Sequence, residues 1–291
     1  MEQVGGALLD VTRIITEHLT EDLRASYLRT YGSMEPAIPE IAAWAADLAL
    51  ENIARSDATY HDVEHTVMVT SVGAELLRCL HLQRGHVTPR DWLHAVIALL
   101  CHDIGYVRGI CKADRPGTYA DGRGDTLCLP SGATDARLMP WHVDRGITFV
   151  QERFGGNPAI DAAAVSACID YTRFPVPDDP RFSETRTLRG LVRAADLVGQ
   201  LGDPHYLRKI PALFYELREN GQEQGFASPA DMRIRYPQFF ERQVRPWIGD
   251  AVELLRVTAT GRAWIASLDA HVYEAERLSG STCDDAVPSA R

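Results

Sequence analysis

Two adjacent metal-competent side chains end an apolar run. The stretch Trp92-Leu-His-Ala-Val-Ile-Ala-Leu-Leu-Cys-His-Asp-Ile-Gly105 is helix-like and almost wholly apolar until it reaches His102 and Asp103. A carboxylate set against an apolar core is costly unless something compensates its charge. A divalent cation would do so, and the neighbouring imidazole supplies a second donor. The doublet is read as the centre of a metal site.

A second cluster is Tyr60-His61-Asp62-Val63-Glu64-His65. His61 and His65 are four residues apart, so on a helix they share a face. H-D-x-x-H resembles the H-E-x-x-H of zinc proteases, in which the middle acid is the general base. Asp62 is one methylene shorter than that glutamate, and the protease reading leaves His102-Asp103 without a role. The other reading places His65 with His102 and Asp103 on one ion. Two neutral imidazoles and a carboxylate suit Zn, Mn, Fe or Co. A third candidate is Asp196, in Leu191-Val-Arg-Ala-Ala-Asp-Leu197, where an acid again interrupts an apolar stretch. Alone, such an Asp would be a satisfied helix residue or half of an ion pair. With His65, His102 and Asp103 it completes a set of four ligands.

Helices must position these groups. Apolar residues recur at helical spacing over 7–31, 61–83 and the run that starts at Thr88-Pro89-Arg90-Asp91. Residues 39–56 are helical by propensity, with Pro39 at the tolerated first position. Further helices are expected over 141–154, 158–172, 185–201, 204–220, 237–256 and 260–278. No repeat and no convincing alternating pattern appears. The fold class is therefore all-α: one multi-helix domain over 39–278, an N-terminal helical extension over 1–38 packed on it, and a flexible tail over 279–291. Residues 106–139 are rich in Gly and Asp, with little periodicity. An irregular segment of that length is most often functional or partly disordered. Because it leaves from the metal doublet, a lid or substrate-binding loop is expected.

The chain has 291 residues, enough to bury a large core, and its 45% hydrophobic and 24% charged content is that of an ordinary globular protein. A formal net charge of −10 argues against a binder of nucleic-acid polymers or anionic membranes. A local metal can still outweigh that field for a small anion. The six cysteines form no C-x-x-C pair, no apolar run approaches a membrane span and no secretory leader is evident, so a cytoplasmic protein with free thiols is expected.

The order H…HD…D on successive helices resembles the HD-domain superfamily of metal-dependent phosphohydrolases. The closer likeness is to the class I cyclic nucleotide phosphodiesterase fold. Tyr60-His-x-x-x-His65 is similar to that family's Y-H-N-x-x-H, with Asp62 where the family has Asn. His142-Val-Asp-Arg-Gly-Ile-Thr-Phe-Val-Gln-Glu152 resembles the helix after its HD motif, and Arg186 to Leu197 resembles its A-D-L segment. Tyr206 to Glu216 also fits, and the likeness spans about residues 40–257. It implies that His65, His102, Asp103 and Asp196 hold a first divalent metal ion and that Asp103 bridges to a second. His142 would be a ligand of the second ion or would bind its waters; otherwise it is an ordinary residue at a helix start. His61 would be the general acid that protonates the leaving alkoxide, or else a structural histidine, and Asp62 would orient His61 or a metal-bound water. The two ions, Mn, Mg, Zn, Fe or Co, would activate water and clamp a phosphoryl group.

The chain also departs from that family. Tyr106 stands where the phosphodiesterases have a further His, and where cyclic-dinucleotide enzymes have Lys. Gln238, in Tyr236-Pro-Gln-Phe-Phe240, lies near the place of the purine-selecting glutamine but out of register with Arg245-Pro246. Tyr106, Arg108 and Gln238 are the substrate-binding candidates. Arg108, Lys112 and Arg115 would meet a phosphate or be plain solvated charges. Asp170 would be a second-metal ligand, a substrate contact or a helix-end acid. The expected activity is phosphoester hydrolysis, most plausibly of a phosphodiester such as a cyclic nucleotide, with a small phosphorylated substrate as partner and room for a homodimer. A di-iron oxygenase on the same scaffold and a catalytically degenerate binding module are the alternatives.

Overall fold

Side-chain caps start the helices that build the molecule. In the structure, a computed structural model that describes residues 9–223 and 225–281, Asp10 caps α1 (Val11–Tyr31) by accepting from the Arg13 N–H. α2 (Ala37–Ile53) follows a turn. Asp62 caps α3 (Val63–Arg84), and Thr88 and Asp91 form a reciprocal capping box at α4 (Pro89–Cys101). Each such cap satisfies orphan N–H groups of the first turn. α5 (His142–Phe154), α6 (Ala162–Asp170, capped by Asp161), α7 (Leu188–Leu201, capped by Thr187) and α8 (Tyr206–Glu219) follow. The chain closes with α9 (Pro229–Ile234), α10 (Tyr236–Phe239), α11 (Arg245–Leu255) and α12 (Ala259–Ser281).

The fold is an all-α single domain. Its only strands among the described residues are β1 (Thr118–Ala120) and β2 (Thr126–Cys128), an antiparallel pair with Thr118 opposite Cys128. α7 lies at the centre, packed on α3, α4, α6 and α11. Gly199 of α7 faces the Val69 backbone of α3 so closely that a Cβ would collide with it, and this lets the two helices approach. Leu19, Leu23, Tyr27 and Tyr31 of α1 join the same buried cluster as Trp92, Leu76 and Val198, so α1 is part of the one core rather than an appendage. No helix of the described residues is long and apolar enough to cross a membrane.

Several expected boundaries move, each for a local reason. The helix expected from residue 61 begins at Val63, because extended Asp62 is its cap, and His61 lies outside it. The helix expected over 158–172 is shortened to Ala162–Asp170 by the Asp161 cap. The one expected over 237–256 is broken by a π-turn over Phe240–Val244 ahead of Pro246, a residue with no N–H to give the ladder. The expected loose tail falls chiefly on residues 282–291, outside the described residues; α12 runs on to Ser281.

Residues 106–139 are held rather than loose. Arg145 of α5 is fully buried and donates to the carbonyls of Gly105, Val107 and Ala120 and to the Asp114 carboxylate. Asp114 in turn accepts from the N–H groups of Gly109 and Ala120. A buried guanidinium so surrounded is neutralised and satisfied. It fastens the segment that leaves the His102-Asp103 doublet to the helix that begins at His142.

Candidate metal centre

Helix ends deliver most of the site. The Asp62 cap puts His65 in the first turn of α3, its N–H 3.0 Å from the Asp62 carboxylate. One oxygen of the Asp62 carboxylate is thus engaged in starting the helix. His102 and Asp103 follow the last turn of α4, and a 3-10 turn over Ile104–Tyr106 carries the chain away. Gly105 passes against α5 where a Cβ would run into the His142 carbonyl, so the turn can sit on the start of that helix only with glycine there. Asp196 comes from the middle of α7.

The four predicted ligands converge. His65 Nε2 and His102 Nε2 lie 3.2 Å apart. Asp103 Oδ2 is 3.1 Å from the first and 3.0 Å from the second, and Asp196 Oδ1 is 3.6 and 3.5 Å from them. His65, His102 and Asp196 place ligand atoms within 4.8 Å of one another, a spacing that fits a bound ion. His102 Nδ1 is 2.7 Å from the Leu99 carbonyl, which fixes the proton on Nδ1 of the neutral ring and leaves the Nε2 lone pair facing the cluster.

Burial and neighbouring charges act in opposite directions on the cluster. Asp103 Oδ2 is buried and makes no well-formed hydrogen bond despite its two imidazole neighbours. Burial opposes a charge on His102, yet the Asp103 and Asp196 carboxylates outweigh it and hold its proton affinity well above that of an ordinary imidazole. Burial would likewise raise the Asp103 pKa, but His102 and His61 hold it well below the usual carboxylate range. The donors present, two imidazoles and two carboxylates with an orphaned buried oxygen, fit a divalent transition metal.

Beside the ligands stands a stack of three rings. Tyr106, buried, lies between His61 and His142, with centroids 4.7 and 4.6 Å away and interplanar angles of 12° and 22°. His142 Nδ1 meets the Met139 carbonyl at 2.5 Å, and its Nε2 lies 3.6 Å from Asp103 Oδ1. Burial pushes the His142 pKa down, so the ring is a neutral donor.

His61 has a partner that sequence reasoning missed. Glu216 of α8, buried, places Oε2 2.6 Å from His61 Nδ1, and its Oε1 accepts from the Tyr60 N–H at 2.5 Å. Burial opposes a charge on His61, but Glu216 foremost, then Asp103, raise its pKa to about 9. The signal was present: Glu216 shares a stripe with Ile210, Leu213 and Phe214, all buried, the same pattern of an acid among apolar residues that singled out Asp196.

The cluster opens into a cavity of about 640 Å³. His61, Asp103, Tyr106, His142 and Asp196 line its inner end, and Met139, Phe174, Phe226, Met232 and Phe239 are among its walls. Of the two expected substrate residues besides Tyr106, neither is there. Arg108 turns away to Asp57 and Asp135. Gln238 is exposed and faces Arg242, while its neighbours Tyr236 and Phe239 line the cavity. Arg115 is spent on the carbonyls of Lys112 and Asp114, and the Lys112 N–H meets Glu152. Asp170 pairs with Arg173. Arg173 is the one Arg or Lys among the described lining residues, and it is bound to Asp144 and Asp170.

The sequence pattern of the Npun_R2479-like family matches residues 9–278. The chain belongs to the Npun_R2479-like family. The match takes in α1 together with every helix that supplies a site residue, in keeping with α1 sharing their core. No curated protein matches the chain.

Proposed function

We propose that the chain is a metal-dependent phosphohydrolase of the HD-domain type that cleaves a phosphoester, most plausibly a phosphodiester such as a cyclic nucleotide. The observation that carries the reading is the convergence of His65, His102, Asp103 and Asp196 beside His61 and its Glu216 partner. The H…HD…D order supports it from the sequence side. His65, His102, Asp103 and Asp196 would hold the metal, which lowers the pKa of bound water and polarises the phosphoryl oxygens when present.

The chain's own groups supply the rest. His61 keeps its proton at neutral pH because Glu216 faces it, and a protonated imidazole at the cavity wall can give that proton to a leaving oxygen. Tyr106 holds the His61 ring flat against its own and fixes where the proton is presented. The apolar walls exclude water and receive the body of the substrate. With Arg173 already engaged by two carboxylates, the cavity suits one phosphoryl group rather than a polyphosphate. The five described cysteines are unpaired, which supports a reducing cytoplasmic setting.

The test is a substrate panel. Protein stripped by chelation and reloaded with Mn²⁺, Mg²⁺, Zn²⁺, Fe²⁺ or Co²⁺ should cleave phosphodiesters, and Asp103→Asn should abolish the cleavage. Oxygen uptake by the iron form without ester cleavage would replace the hydrolase reading with an oxygenase one.

A further inference from the structure

We propose that the pocket is built for a single metal ion, with Tyr106 filling the space beside it, and that it therefore selects substrates bearing one negative charge. The inference rests on the metal-site reading above and goes beyond it in ion count and substrate class.

Donor atoms around Asp103 are unequally distributed. On its Oδ2 side stand His65 Nε2 and His102 Nε2, with Asp196 Oδ1 completing the set. On its Oδ1 side the facing donor is His142 Nε2, 3.6 Å away. The only group of three or more potential ligands among the described residues is the one on the Oδ2 side. A transition-metal ion on the other side would have two protein ligands, whereas zinc sites use three or four; the water-rich shell of Mg²⁺ needs fewer and is not excluded by this count.

The place where a third ligand would come in is taken by the Tyr106 ring. It stacks on both His61 and His142, so those two imidazoles lie on opposite faces of a phenol and cannot share an ion. His61 Nδ1 is held by Glu216. The other nearby acids, Asp144 and Asp170, are bound to Arg173. Among the described residues, no further imidazole or unengaged acid stands on this side to give a transition-metal ion a third protein ligand.

The charge balance follows. A phosphodiester brings one negative charge and a phosphomonoester nearly two at neutral pH. With one ion, and with Arg173 engaged, the cavity favours the first.

Metal-to-protein ratio by plasma mass spectrometry tests the count. Wild-type chain loaded with excess Mn²⁺ or Zn²⁺ and desalted should retain one equivalent. Tyr106→His places a third nitrogen beside His142 and Asp103 and should raise the ratio towards two; adding His142→Ala should return it to one. Tyr106→Phe keeps the ring and should stay at one, a control for folding. Two equivalents in the wild type, or one in Tyr106→His, would overturn the inference while leaving the hydrolase reading standing. No retained metal in any form would instead remove the metal site on which both rest. On the substrate side, kcat/KM for a diester should exceed that for the matching monoester by at least about tenfold, and the reverse order would contradict the charge argument.

Discussion

Glu216 Oε2 stands 2.6 Å from His61 Nδ1, and the same carboxylate takes the Tyr60 N–H. One acid on α8 thus sets both the backbone entering α3 and the charge of the histidine in front of it. Glu216 is a positioning residue, since it reaches the cavity only through His61.

Replacing it should move a pH profile. A histidine raised to about 9 stays protonated through neutrality and loses its proton as pH climbs past that value. Hydrolysis should therefore have an alkaline limb near pH 9. In Glu216→Gln the limb should shift to the acid side, with a rate loss at pH 8 of roughly 30-fold, the fall in protonated fraction if the pKa returns to the ordinary imidazole value. The stability that the pair adds has the same sign: full below the ordinary imidazole pKa, and lost as pH rises through about 9. Melting temperatures of wild type and variant should converge above that pH.

Neighbouring residues should part company in kinetics. Phe239 lines the cavity and Gln238 faces out. Phe239→Ala removes apolar contact and should raise KM for the cleaved ester by ~10-fold, for a loss of about 1.5 kcal/mol. Gln238→Ala should change KM less than ~2-fold, within the range of a surface substitution. Arg108→Ala should also leave KM alone but lower stability by about 1–3 kcal/mol, because buried Asp135 loses its partner. A large KM effect at Gln238 or Arg108 would restore them as substrate contacts.

The clamp on the irregular segment should dominate local stability. Arg145→Met leaves Asp114 and three carbonyls without their donor and should cost about 3–5 kcal/mol, as when one partner of a buried ion pair is removed. Hydrogen exchange should quicken over residues 105–120 first, while the core of α7 stays protected.

Much of this was legible in the sequence, and the limits are physical. The convergence of His65, His102, Asp103 and Asp196 was readable because a polar side chain in an apolar run is costly and so must have a reason to be there. The helices were readable from apolar spacing and caps. Arg108 and Gln238 lie outside the cavity lining; Arg108 sits in an irregular segment with no periodicity to say where it points, and Gln238 in the four-residue α10, too short to define a face. Only the folded chain brings Asp57 and Asp135 around Arg108. Glu216 is 155 residues from His61, and no local pattern pairs them. Tyr106 was read as a departure from a ligand position, and only the three-ring stack shows what the phenol does there.

The most direct test of the central claim is metal content by plasma mass spectrometry in wild type against His102→Ala and Asp196→Ala. The four-ligand site predicts one retained equivalent in wild type and near none in either variant, with all three folded by circular dichroism. Equal metal content in wild type and His102→Ala would contradict it.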